Sequence, residues 1–369
     1  MSLVVVGRTA VGLALGAALL VGCGRFDDSA SSPFTTEPTL RPAQLEPNKP
    51  GAPTSTKQRP TGPCLDPDPN VVATCLDTLG GLIGIGDGAL VAERRTGRIL
   101  KVTGPDDPVV EIAKLDVDGS GDGGLNDLVL SPSYREDGLL YAYITTPYDN
   151  RVVRFSATGG APKDILTGIP KGPTGNHGSI EFANPNQMLV LTGDAGNPAA
   201  ALSASSLSGK LLKLNSPAPG SAAPEIAVSG IGVAGDVCHD GKDSVWITDR
   251  TAAEDRLQRL SGDGQVTTAW TWPDRPGVAG CAAGVDGVAV ALTNGKALAI
   301  VAADKDTHAV TTSPTLVAQD KYGALFGATV GPDGAIWVTT VNKTDGPGGE
   351  FDDRVVRIPP PQSGGNAPD

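Results

Sequence analysis

The residue of this chain with the plainest chemistry is Cys23. It closes the stretch Leu20-Val21-Gly22-Cys23, behind Arg8 and an apolar run from Thr9 to Leu20 rich in Ala, Leu, Val and Gly. A charged start, a short apolar stretch and small residues follow the order of a secretory signal, and the run is too short to span a bilayer comfortably. Gly22 suits a signal peptidase that needs a small side chain before its cut. The Cys23 thiol after it can carry an acyl chain. Four further cysteines remain, Cys64, Cys75, Cys238 and Cys281. An even set outside the cell pairs into disulfides. Of the three pairings, Cys64–Cys75 and Cys238–Cys281 are expected. The first closes a short loop around Pro67 and Pro69, and the second joins two neighbouring repeat units.

The ending at Cys23 resembles a bacterial lipobox. It predicts an exported protein held by acyl chains on the outer face of the cytoplasmic membrane, in the cell envelope; the other reading is an ordinary signal peptide that happens to hold a Cys. Metal chemistry has little to build on, because there is no CxxC and no clustered His. Asp116-Val117-Asp118-Gly119-Ser120-Gly121, with Asp127 eleven residues after Asp116, imitates a calcium loop but lacks the flanking helices and the final Glu, and reads as an acidic turn. His239 and His308 stand beside acidic turn residues. Trp270-Thr271-Trp272-Pro273 either lines a ligand face or packs between repeats, with packing favoured. No GxSxG, HExxH or P-loop is present, so hydrolase and nucleotide-dependent readings lack support.

The elements that must position these residues are β-strands. The chain has 369 residues, only 4% aromatic, with 49 Gly and 31 Pro, and its short Val/Ile/Leu runs are broken by Gly, Pro, Asn and Asp. A net charge of -12 excludes nucleic acid as a partner and disfavours adhesion to anionic lipid, which leaves membrane attachment to the anchor. Residues 1–22 form the signal peptide. Residues 23–63 are the lipidated Cys23 and a Pro/Ser/Thr-rich stalk with too little apolar surface to fold. Ser29, Ser31, Ser32, Thr35 and Thr36 are candidate O-glycan sites on it. From Leu79 a unit recurs: an entry glycine, a short apolar strand, a turn, a second apolar strand, and a third often flanked by basic residues. The six units open at Gly81, Gly124, Gly178, Gly235, Gly280 and Gly327, a spacing of roughly 45 to 55 residues. They predict an all-β, six-bladed β-propeller over residues 64–360, with a disordered tail at 361–369. A β-sandwich accounts for the strands but not for the recurring glycine.

Two stretches resemble a known family. Gly121-Asp122-Gly123-Gly124-Leu125-Asn126-Asp127-Leu128 through Pro132-Ser133-Tyr134 is similar to a blade opening of the soluble PQQ-dependent glucose/sorbosone dehydrogenases. Thr192-Gly193-Asp194-Ala195-Gly196-Asn197-Pro198, followed by Ser205-Ser206-Leu207-Ser208-Gly209-Lys210, resembles a second segment of that family, and Val245 through Leu257 resembles a third less closely. The resemblance covers roughly Leu79 to Ile358. It implies a propeller in which a His removes a proton from a sugar C1 hydroxyl, hydride passes to PQQ, and arginines and a lysine hold the anionic cofactor.

Position by position, the pattern departs from the family. The catalytic H-x-G-G-R motif aligns with Gly175-Asn176-His177-Gly178-Ser179. Gly175 falls where the His belongs, Ser179 replaces the Arg, and His177 stands two residues late. The Asp that orients the base is retained as Asp194. Asp122 takes the place of a family Gln or Glu near the substrate. Gly232 and Val233 replace an Arg and an Asn of the cofactor segment, and Ala324 and Phe326 replace both arginines of the final blade. Each lost bidentate contact is worth about 1.5–3 kcal/mol. The resemblance therefore implies a diverged, non-catalytic member without a cofactor, which binds a sugar-like ligand or an envelope protein. The alternative is an active PQQ- and calcium-dependent aldose dehydrogenase with His177 as base and Asp194 as its orienter. The first predicts no His177–Asp194 hydrogen bond and no ring of arginines at the centre; the second requires replacement cations such as Arg250, Arg275 or Lys321.

One prediction needs only the sequence. A Cys23→Ser protein grown with radioactive fatty acid takes up no label and leaves the membrane fraction. Persistent labelling means that Cys23 is not the acylated residue.

Overall fold

The computed structural model describes residues 62–242 and 244–359. Cys23, the signal peptide, the stalk up to Thr61 and residues 361–369 lie outside the described residues. Strand β1 (Val71–Ala73) opens the fold. The first blade is β2 (Leu79–Ile85), β3 (Gly88–Glu93), β4 (Arg98–Val102) and β5 (Val110–Lys114). The second is β6 (Leu125–Leu130), β7 (Leu139–Thr145), β8 (Asn150–Ser156) and β9 (Lys163–Ile169), with the short helix α1 (Tyr134–Asp137) between its first two strands. The third is β10 (Gly178–Asn184), β11 (Gln187–Thr192), β12 (Lys210–Asn215) and β13 (Glu225–Ser229), with α2 (Pro198–Leu202) before β12. The fourth is β14 (Val237–His239), β15 (Ser244–Arg250), β16 (Asp255–Ser261) and β17 (Val266–Trp272). The fifth is β18 (Val278–Gly284), β19 (Gly287–Leu292), β20 (Ala297–Ala302) and β21 (Thr315–Val317). The sixth holds β22 (Leu325–Val330), β23 (Ile336–Thr340) and β24 (Val355–Ile358), and β1 completes it by pairing antiparallel with β24. The all-β, six-bladed propeller expected from the repeats is present.

The reason lies in period-two burial. Both faces of each blade pack on a neighbour, so the second strands read as unbroken apolar runs. In β3, Ala89 and Val91 join a core cluster with Trp337 of the sixth blade, while Leu90 and Ala92 join one with Leu140 and Phe155 of the second. In β11, Met188 and Val190 face Tyr141 and Tyr143, while Leu189 and Leu191 face Val245 and Ile247. Each of the six blade interfaces has its own cluster. Trp272 is buried in the cluster between the fourth and fifth blades, with Trp270 packed against it, so this pair serves packing. The outermost strands, such as β5 and β21, are largely exposed. That is why the apolar pattern reveals three strands per unit and not four.

Disulfides form between Cys64 and Cys75 and between Cys238 and Cys281, with Cα atoms 5.5 and 5.9 Å apart. The first brackets β1. The second joins β14 to β18, the innermost strands of the fourth and fifth blades.

The innermost strands also bond to one another through carboxylates. Asp127 of β6 accepts from Ile180 N of β10 at 2.8 Å, and Asp236, just before β14, accepts from Cys281 N of β18 at 2.8 Å and from the Ser179 hydroxyl. With Glu181 of β10 they line a central cavity of 160 Å³. Desolvation raises all three carboxyls, and mutual repulsion adds to the rise for Asp127 and Glu181. Asp236 rises to about 6 and Glu181 to about 8. An acid raised on folding retains its proton in the native state while the unfolded chain loses it, so its contribution to stability is lost as pH rises.

Two measurements follow. Thermal stability falls between pH 5 and pH 8, and Glu181→Gln makes that decline shallower, leaving the variant more stable than the parent at pH 8. Equal slopes in the two proteins contradict the assignment. Separately, replacing Cys238 and Cys281 by Ala lowers unfolding free energy by about 4 kcal/mol in denaturant titrations, as the chain-entropy model gives for so long a loop.

Candidate functional site

The head of the channel, where the innermost strands begin, is built from loops entering those strands and from the ends of second strands. The loop Pro170–His177 between the second and third blades is held by Asp122, which arrives from the loop before. The Asp122 carboxylate accepts from Gly175 N at 2.7 Å and from Asn176 Nδ2 at 2.8 Å. Asn176 Oδ1 accepts from Gly172 N at 2.9 Å and from Asn150 Nδ2 at 3.3 Å. Asp122, expected as a substrate group, is thus spent on loop structure. The acids of the calcium-like turn diverge in the same way. Asp118 is salt-bridged to Lys171, which holds its pKa down at about 2, and Asp127 turns into the channel.

His177 is 5% exposed and its ring stacks on Phe326, centroids 4.7 Å apart and planes 19° apart. Desolvation, then the positive charges of Arg250 and Arg94, hold its pKa well below the usual value, so the ring is neutral at physiological pH. Nδ1 is enclosed without a hydrogen-bond partner. Asp194 does not bond to it. Its carboxylate accepts instead from Gly196 N at 2.8 Å. Facing Asp194 is Gly175, at φ +70°, where a Cβ would lie 2.4 Å from Asp194 Oδ1 and 2.8 Å from Ala195 N. No side chain fits at the position where the family motif carries its base. Ser179, in place of the motif's Arg, donates its hydroxyl to Asp236.

Lys210 is wholly buried and donates to the carbonyls of Ala200, Ala201 and Ser208. It thereby closes α2, whose N-terminus Asn197 caps by accepting from Ala200 N at 3.2 Å. This lysine is occupied by the carbonyls that follow the loop bearing Asp194.

Two arginines come near His177, one of them among the candidate replacement cations. Arg250, at the end of β15, and Arg94, directly after β3, both lie within electrostatic reach of His177 and Asp122. The other two candidate replacements do not. Arg275 is exposed, and Lys321 pairs with Asp68 at 2.8 Å. The sequence reading missed Arg94 and Tyr143, and named Phe326 only as the replacement of an arginine. The signal for Arg94 is present in retrospect: Glu93-Arg94 and Asp249-Arg250 are the same acid–arginine pair at the end of a second strand. In both, the acid clamps the arginine opposite on the third strand, Glu93 to Arg98 and Asp249 to Arg256. The arginine after each acid bonds to carbonyls of a loop entering an innermost strand, Arg94 to Gly121 and Gly123 and Arg250 to Ala234.

The glucose/sorbosone dehydrogenase family model matches residues 78–231. No curated protein sequence matches the chain significantly. Among solved structures, the PQQ-bound aldose sugar dehydrogenase of Streptomyces coelicolor is 26% identical with a TM-score of 0.69, over 78% of this chain and 95% of that one. A putative oxidoreductase (glucose dehydrogenase) of Thermus thermophilus is 26% identical with a TM-score of 0.69, over 78% and 98%. The soluble aldose sugar dehydrogenase of Escherichia coli in its apo form, 17% identical with a TM-score of 0.66 over 79% and 99%, shares the fold. The chain thus builds a six-bladed propeller similar to those of the sugar dehydrogenases, and residues 78–231 match the glucose/sorbosone dehydrogenase model.

Proposed function

We propose that this protein is a lipid-anchored envelope protein whose dehydrogenase-like propeller has diverged from sugar oxidation and binds a ligand or partner at the channel head. The observation that carries this reading is the pairing of Asp194 with Gly175, while His177 stacks on Phe326. A general base must reach its proton within about 3 Å, with its second nitrogen oriented by a partner. Here the would-be orienter faces a glycine, and the imidazole lies under an apolar ring.

The donor set does not suit a planar tricarboxylate cofactor. The residues at the family's cofactor positions, Gly232, Val233, Ala324 and Phe326, offer no charged side chain. Phe326 occupies one of those arginine positions and uses its face on His177. Lys210 is committed to backbone carbonyls. No reaction step through the cofactor is derived for this site. Attachment through Cys23 is supported by the lipobox-like sequence and by the charge of -12, which leaves little electrostatic attraction to anionic lipid.

The test is titration of the purified protein with PQQ and calcium, followed spectroscopically, and an aldose-dependent dye-reduction assay. The expected outcome is no saturable cofactor binding below about 10 μM and no dye reduction above buffer, given the loss of several bidentate contacts. Submicromolar binding with aldose-dependent turnover overturns the reading.

A further inference from the structure

Two guanidinium groups at the channel head have no carboxylate partner. Arg94 is 5% exposed and donates only to the carbonyls of Gly121 and Gly123, at 2.9 and 2.6 Å. Arg250 donates to Ala234 O at 3.2 Å, and its Nε is enclosed with no partner. Neither is in an ion pair among the described residues. The carboxylates near them are engaged elsewhere. Asp122 binds the Gly175–Asn176 backbone, Asp249 binds Arg256, Asp255 accepts from Gly277 N and Val278 N, Asp77 binds Arg95, and Asp353 accepts from Thr340 and Asn342. Buried charges in proteins are paired or ligated, because taking an ion out of water carries a large penalty. Arginine cannot escape this by releasing its proton.

The placement is symmetric. Blades one and four lie opposite each other in a ring of six, and each delivers its arginine from the same position, directly after the clamped acid of the second strand. His177 Nδ1 and Tyr143 Oη are also enclosed without partners. Tyr143 is fixed there because its ring packs on Gly178, where a Cβ would meet it at 2.2 Å. With Arg250 Nε, three enclosed groups able to donate a hydrogen bond accompany two guanidinium groups that make no direct contact with the carboxylates around them.

We infer that Arg94 and Arg250, inserted from opposed blades, clamp a compact oxyanion, a carboxylate or phosphate group, at the head of the channel. This deepens the ligand-binding reading above and rests on it. The guanidinium forks supply charge-assisted bonds to the oxyanion, and His177 and Tyr143 supply neutral donors to its remaining oxygens. The arrangement suits a small tetrahedral or planar group better than a large flat ring system, since Phe326 and His177 fill the centre with their own stack.

The experiment uses the full-length protein in detergent, titrated with inorganic phosphate and separately with malonate at constant ionic strength, by calorimetry and thermal unfolding. One saturable site with a rise in melting temperature is expected. Phosphate alone points to a phosphoryl ligand, malonate alone to a carboxylate, and both to a site that reads only the shared oxyanion; each supports the clamp. Arg94→Gln and Arg250→Gln each weaken binding about 10- to 100-fold. Arg275→Gln, at an exposed position, leaves it unchanged. Arg94→Lys, which keeps the charge, weakens it less than Arg94→Gln and serves if the glutamine variant does not fold. A linear salt effect without saturation, or binding indifferent to both glutamine substitutions, overturns the inference. Aldose-dependent dye reduction with PQQ overturns instead the reading on which it rests.

Discussion

The ring of blades is tied shut by completing its last blade from the other end of the chain. Here three residues, β1, do this by pairing with β24. Because of that closure, each second strand is buried on both faces, and every blade interface has a core. The connecting loops gather at the two ends of the ring. At one of those ends the loops converge, and side chains there must satisfy one another or a ligand. Asp122, Asn176, Asp249 and Glu93 are consumed in this way, each bonding to the loop that enters the next innermost strand or to a residue across its own blade. What remains unsatisfied is therefore informative.

The fold was legible because its dominant force leaves a periodic trace. Ala89-Leu90-Val91-Ala92 and Met188-Leu189-Val190-Leu191 are apolar at every position, as only strands buried on both faces require. The outermost strands left no such trace, since Val110–Lys114 and Thr315–Val317 are mostly solvated. The disulfides were legible for a different reason: four cysteines allow three pairings, and repeat order made one of them join adjacent blades.

The site was legible only where chemistry depends on local sequence. Gly175 in place of a histidine could be read directly, and the structure supplies its physical meaning, a backbone at φ +70° packed against Asp194. The assembly of Arg94, Tyr143, His177 and Arg250 could not be read, because these residues come from four different blade segments spanning more than a hundred positions. The one local mark that Arg94 carries is the acid before it, Glu93, which is fixed to Arg98. Its direction is set by bonds to the carbonyls of Gly121 and Gly123, in a loop nearly thirty residues away. Asp122 shows the converse: its position in the motif suggested a ligand group, and the structure adds that the neighbouring loop bonds to both of its oxygens.

The bond between Cys64 and Cys75 acquires a mechanical sense from where it sits. Force applied to the chain N-terminal to Cys64 would reach β1 next along the backbone, and β1 is held to the ring by only a few hydrogen bonds. The disulfide offers a covalent shunt. Load entering at Cys64 crosses to Cys75, beyond β1, and continues into Leu76, whose amide and carbonyl both bond to Asp353. The strand that closes the ring is thus bypassed by tension, and the propeller can be pulled from its N-terminal side without the pull being spent on peeling its closing strand.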